Sequence, residues 1–128
     1  MANILVIEDQ EVLGTLYTFV LRQFKHKATI ANTGEAGIEA ALQERPDLVI
    51  LDLVLPGMPG IQVAEHLRES GILPEVPLVI TTALGEDDAT AVAESLHAEA
   101  ILHKPFDVTS LLEMLETVLP GLQEKEPV

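Results

Sequence analysis

The chain has 128 residues, no cysteine, and 21 acidic against 7 basic side chains, a net charge of −14. That length suits one domain with an ordinary hydrophobic core, and the lack of cysteine excludes disulfides and thiolate–metal sites. The negative charge opposes binding to nucleic-acid phosphates and anionic membrane surfaces, and no apolar run approaches the ~20 residues of a membrane span.

The opening Met1-Ala2-Asn3-Ile4 carries no basic segment ahead of an apolar one, so no signal peptide is expected and the protein is expected to be cytoplasmic. Ile4 to Ile7 is a short, unbroken apolar run, the pattern of a strand buried on both faces. Leu13, Leu16, Tyr17, Val20 and Phe24 follow at helical spacing. A weaker strand is expected at Ala28–Ala31. Thr33 then caps an Ala-rich helix running to about Arg45, where Pro46 stops it. Leu48 to Leu51 is the second strong strand. Ile61, Ala64 and Leu67 mark a helix that Gly71 ends in the left-handed conformation. Leu78 to Ile80 is the third strong strand, and Ala89, Val92, Ala93 and Leu96 form the stripe of the next helix. Ala100–His103 is the last expected strand. Asp107 caps a final helix whose stripe is Val108, Leu111, Leu112, Leu115 and Leu119, and residues 120–128 read as a solvated tail or the start of a linker.

The order is β-α five times over, which predicts right-handed crossovers and a parallel sheet with helices on both faces. Ligands of such sheets bind at the carboxyl ends of the strands. There the chain places Glu8-Asp9, Asp52, Thr81-Thr82 and Lys104. Singly these are ordinary. An Asp after a strand commonly caps a helix or makes a turn, Asp9 could merely cap the first helix, and Lys104-Pro105 could be a loop. Together they put three carboxylates, a hydroxyl and an ammonium in one crevice. Carboxylates that close repel one another unless a cation joins them. Lys104 supplies one positive charge, and Mg²⁺, which takes oxygen ligands, is the natural second.

From about Asn3 to Leu119 the sequence resembles the receiver domains of bacterial two-component response regulators. The resemblance rests on ILVIED ending at Asp9, PDLVILDLVLPGMPG around Asp52, VITTA containing Thr82, and KPF beginning at Lys104, with their mutual spacing. It implies a flavodoxin-like (βα)5 doubly wound fold, strand order 2-1-3-4-5, over residues 1–119. It implies Asp52 as phosphoacceptor and a Mg²⁺ site made by Asp9, Asp52 and the Val54 carbonyl, with Glu8 acting through water. Thr82 becomes the switch hydroxyl and Lys104 the partner of the acyl phosphate. The implied phosphodonor is a histidine kinase or a histidine phosphotransfer protein. The implied output surface is the face of helix four, strand five and helix five, for a target or a second receiver. No direct binding to nucleic acid or membrane is expected.

Three positions depart from the family pattern. Ile101 stands where an aromatic switch residue is usual, His97 where a small residue is usual, and Val54 and Leu84 put apolar side chains beside the site. The four histidines, His26, His66, His97 and His103, share no metal-ligand spacing and read as surface or loop residues. Met58 and Met114 read as packing residues. A haloacid-dehalogenase-like phosphohydrolase would share the Asp nucleophile, Mg²⁺, the hydroxyl and the Lys, but its second Asp two residues on is here Val54. A flavodoxin-like FMN carrier is disfavoured because the chain has no Trp and one Tyr.

Overall fold

The computed structural model describes residues 2–119, and the expected tail at 120–128 lies outside them. The elements are β1 (Asn3–Ile7), α1 (Glu11–Gln23), β2 (Lys27–Ala31), α2 (Gly34–Gln43), β3 (Leu48–Asp52), α3 (Gly60–Glu69), β4 (Leu78–Thr82), α4 (Glu86–Leu96), β5 (Ala100–His103) and α5 (Val108–Val118). All neighbouring strands pair parallel, in the order β2-β1-β3-β4-β5.

The unbroken apolar runs are explained by two cores, one on each face of the sheet. Alternate residues of a strand point to opposite faces. Leu5, Ile7, Val49, Leu51, Leu78 and Ile80 pack with Val63, Leu67, Ala93 and Leu96 of α3 and α4. Ile4, Val6, Leu48, Ile50 and Val79 pack with Tyr17, Val20, Leu21, Leu111 and Leu115 of α1 and α5. Both faces are thereby dry, as a parallel sheet requires.

The local signals act as expected at most boundaries. Thr33 accepts a hydrogen bond from the Ala36 N–H at 3.1 Å, and Asp107 accepts one from the Ser110 N–H at 2.9 Å. Gly71, at φ 83°, follows α3, and the Gly71 and Ile72 N–H groups close the helix on the carbonyls of Arg68 and Leu67. At the end of α4 the corresponding left-handed residue is His97, at φ 58°, where a Cβ is normally unfavourable.

Several expectations are corrected. α2 ends at Gln43 rather than Arg45, because Glu44 is already extended and its side chain pairs with Lys27 at 2.7 Å. Asp9 does not cap α1; the capping position is Gln10, whose side chain makes no cap bond. Ile61 and Val108 point outward, and Val63 and Met114 take their places in the cores. His26 is a loop residue but a buried one, its Nδ1 accepting the Ala2 N–H at 3.0 Å. Met58 and Met114 do pack against the cores.

Candidate functional site

The acidic cluster forms because β1 and β3 are neighbours in register. Ile7 pairs with Leu51, so the next residues, Glu8 and Asp52, lie side by side. Asp52 in turn pairs with Thr81 of β4. Alternation turns Glu8, Asp52 and Thr81 to the same face, the one covered by α1 and α5. Carboxylate oxygens of Glu8, Asp9 and Asp52 come within 4.8 Å of one another. Glu8 and Asp52 are buried, at 2% and 3% exposure, whereas Asp9 is exposed at the rim.

Lys104 enters from the end of β5. Its N–H donates to the Thr82 carbonyl at 2.8 Å, extending the β4–β5 ladder by one rung. Its Nζ lies 2.9 Å from Asp52 Oδ2 and 3.0 Å from Glu8 Oε1. The contact with Asp52 is a hydrogen bond, while that with Glu8 is a charge pair that leaves Oε1 without a well-directed donor. Burial pushes the Glu8 carboxyl above the usual carboxylate range, against the opposing pull of Lys104 and the Gln10 N–H. Burial also works to lower the Lys104 ammonium, but the Asp52 and Glu8 carboxylates outweigh it and its pKa rises.

The loop after β3 is shaped around Asp52. The Val54 N–H donates to Asp52 Oδ1 at 3.0 Å, and the Val54 side chain is 70% exposed. The first residue of α3, Gly60, lies against the Asp52 and Leu53 backbone and donates its N–H to the Leu53 carbonyl at 3.0 Å. Thr82 is buried, and its hydroxyl accepts the Leu84 N–H at 3.0 Å rather than bonding to Asp52. Ile101 is half-buried against the core under α3 and α4. Leu84 is 41% exposed, so the two apolar departures both face solvent.

Two residues at the site carried no functional reading in the sequence. Tyr17 was visible only as one member of an apolar stripe, and Thr81 only as the neighbour of Thr82. Both are buried: Tyr17 at 0% exposure with its ring tilted against Phe106, centroids 5.8 Å apart, and Thr81 in the row beside Asp52.

The sequence that builds this arrangement matches, over residues 4–116, a family model described as the response regulator receiver domain. The chain belongs to that family. Receiver domains are signalling domains, and their acidic pocket takes Mg²⁺.

Among relatives, this receiver is 32% identical over 126 residues to the response regulator ArlR of Staphylococcus epidermidis, covering 98% of the chain and 56% of ArlR. It is 31% identical to the protein PilH of Pseudomonas aeruginosa, covering 94% of the chain and all of PilH. It therefore spans about half the length of ArlR but the whole of PilH. Among solved structures, the signal receiver domain of a LuxO repressor protein from Vibrio parahaemolyticus is 27% identical, with a TM-score of 0.84 over 97% of this chain and 94% of that one. The chemotaxis response regulator CheY4 of Vibrio cholerae, at 24% identity, superposes with a TM-score of 0.87 over 93% of this chain and 99% of that one, a likeness of fold. None of these relatives points to the phosphohydrolase alternative. Among the described residues no helix is long and apolar enough to cross a membrane.

Proposed function

We propose that this receiver accepts a phosphoryl group on Asp52 and that the modified site biases an output surface. The observation that carries the reading is Asp52 itself, buried at the carboxyl end of β3 with Lys104 at 2.9 Å and two further carboxylates beside it. A carboxylate oxygen of Asp52 forms the new bond to phosphorus as the bond to the donor's imidazole nitrogen breaks. The donor histidine belongs to a histidine kinase or a histidine phosphotransfer protein. Lys104 already faces Asp52 Oδ2 and neutralises charge on the transferring group, so the work is positioning and electrostatics.

The donor set fits Mg²⁺, being all oxygen and gathered at a partly open rim. Asp9, Asp52 and the Val54 carbonyl would hold it, with Glu8 contributing through water; among the described residues nothing donates to that carbonyl. When bound, the ion supplies charge neutralisation for the phosphoryl oxygens. Thr82, released from the Leu84 N–H, would donate to one phosphoryl oxygen while Lys104 pairs with another. The protein otherwise turns nothing over; it catalyses only its own phosphorylation and a slow loss of the phosphate. We assign residues 1–119 to the receiver and 120–128 to a tail or linker, and place the protein in the cytoplasm, with which its cysteine-free composition agrees.

Acetyl phosphate with Mg²⁺, followed by intact-mass analysis, tests the site. One phosphate adduct is expected on the parent and none on Asp52→Ala; an adduct of equal yield on the variant overturns the assignment.

The output surface proposed is the face of α4, β5 and α5, for a target or a second receiver, because Thr82 and Lys104 begin its loops. Ile101 is β-branched, with one stiff set of rotamers, so the change should run through the Thr82–Glu86 loop and the start of α4. Amide exchange with and without beryllofluoride, an aspartyl-phosphate mimic, should concentrate its differences within residues 82–104. Differences confined to α1 would overturn this surface.

A further inference from the structure

We propose that Tyr17 is a positioning residue of the phosphoacceptor site, the donor that takes over the inner oxygen of Glu8 when Lys104 turns to a phosphoryl group on Asp52. The inference rests on Asp52 being the acceptor.

Its first support is an unmatched pair. Among the described residues, the buried side-chain oxygens without a well-directed hydrogen bond include the Tyr17 hydroxyl, which has only a looser interaction with Thr81, and Glu8 Oε1, which has only its charge pair with Lys104; one is able to donate and the other only to accept. Both belong to the face of the sheet under α1 and α5, and Tyr17, in the core of that face, is near enough to Glu8, Asp52 and Thr81 for each to act on its hydroxyl. A buried polar group without a partner is costly, and a state that supplies the partner is favoured by that cost.

The second support is that Lys104 is shared. One ammonium serves Glu8 Oε1 at 3.0 Å and Asp52 Oδ2 at 2.9 Å. Phosphorylation replaces the single charge of the Asp52 carboxylate with up to two on the phosphoryl group and brings three acceptor oxygens. Lys104 then has a stronger partner, and the inner oxygen of Glu8, almost wholly buried, loses the ammonium that faced it. Tyr17 is a nearby donor whose hydroxyl interacts only with Thr81 and has no well-directed hydrogen bond of its own.

The third support is the ring contact. Tyr17 stacks on Phe106, two residues beyond Lys104. A tilt of Tyr17 toward Glu8 therefore moves against the same loop from which Lys104 departs, coupling α1 to the β5–α5 connection. In a chain with Ile101 at the usual aromatic position, this pair puts an aromatic ring back into the switch, on the other face of the sheet. Burial, then the charges of Glu8 and Asp52, hold the phenol pKa up, so the hydroxyl keeps its proton and acts as a donor. A bond present in only one state biases the equilibrium between two.

Tyr17 is the single tyrosine and there is no tryptophan, so near-ultraviolet absorption and emission at wavelengths beyond the phenylalanine band report on this residue alone. The full chain is titrated with beryllofluoride and Mg²⁺ while fluorine NMR records occupancy. The expected result is a red shift with quenching, the signature of a phenol donating to a carboxylate. The shift should shrink in Glu8→Gln and be present without beryllofluoride in Lys104→Met, where the ammonium facing Glu8 Oε1 is gone permanently. Tyr17→Phe keeps the ring in its core and removes a hydroxyl with no well-directed hydrogen bond, only its looser interaction with Thr81, so the variant should still fold. Its affinity for beryllofluoride should fall roughly tenfold, the effect of one hydrogen bond to a charged group. A bound fluorine signal with an unchanged Tyr17 spectrum, or unchanged affinity in Tyr17→Phe, overturns the role of Tyr17 and leaves that of Asp52 standing. No bound fluorine signal overturns both.

Discussion

A methyl group placed on Gly60 would stand 2.5 Å from the carbonyl oxygen of Asp52 and 2.6 Å from Leu53 Cα. Both neighbours are backbone, so neither can rotate aside. The start of α3 is thus pressed against the residue that carries the chemistry, and the absence of a side chain permits it.

Gly60→Ala should therefore be harmful out of proportion to its size. Forcing extra volume into a packed site typically costs about 1–3 kcal/mol. We expect a loss of that order in urea unfolding, together with a lower yield of acetyl-phosphate adduct. Unchanged stability and unchanged yield would mean that the contact relaxes freely.

Loss of the phosphate should be slow and improvable. Hydrolysis requires a water aligned with the acyl phosphate, and the exposed Val54 and Leu84 side chains cannot hydrogen-bond one. The double variant Val54→Asn with Leu84→Glu should lose phosphate roughly tenfold faster, well short of the ~10²–10⁴ that full general acid–base catalysis supplies. The decay of the mass adduct measures this, and equal decay rates would show that these positions do not govern the lifetime.

Asp107 provides a pH signature of its own, distinct from that of the acidic cluster. The Ser110 N–H bonded to its carboxylate holds its pKa below the usual aspartate range. A depressed folded-state pKa contributes stability above the unfolded value, lost as pH falls through the folded value. Asp107→Ala should thus melt below the parent at neutral pH, and the gap should close as pH drops below ~4. Asp107→Asn keeps an oxygen acceptor without the charge, so its offset from Asp107→Ala should not change with pH. Thermal melts of the three proteins across that range decide it.

Much of this architecture is readable in the chain because strand and helix signals are local. Three unbroken apolar runs locate β1, β3 and β4, and Thr33, Gly71 and Asp107 mark helix ends by chemistry that acts within a few residues. What escaped depends on distant parts meeting. Helical period picks out the stripe of α1 but cannot tell which member ends beneath the carboxylates, and so Tyr17 passed as one apolar residue among five. Ile61 and Val108 fit the period equally well, yet each lies in a first turn whose inward direction is set by the preceding loop. The burial of His26 follows from its meeting Ala2, 24 residues away, which no local pattern encodes. Convergence at the strand ends anticipated a site, but a single ammonium divided between Glu8 and Asp52 depends on the last rung of a ladder 52 residues from Asp52.

His97 closes α4 in a left-handed turn that glycine would hold with less strain. A helix end closed at that cost opens more readily than it would with glycine in the same place. The cost falls on α4, the element that follows the Thr82 loop, at the end of the helix away from the carboxylates. A single position can thus set the threshold of the switch without altering its trigger, and exchanging the residue there would retune how much signal is needed before the far end of the molecule responds.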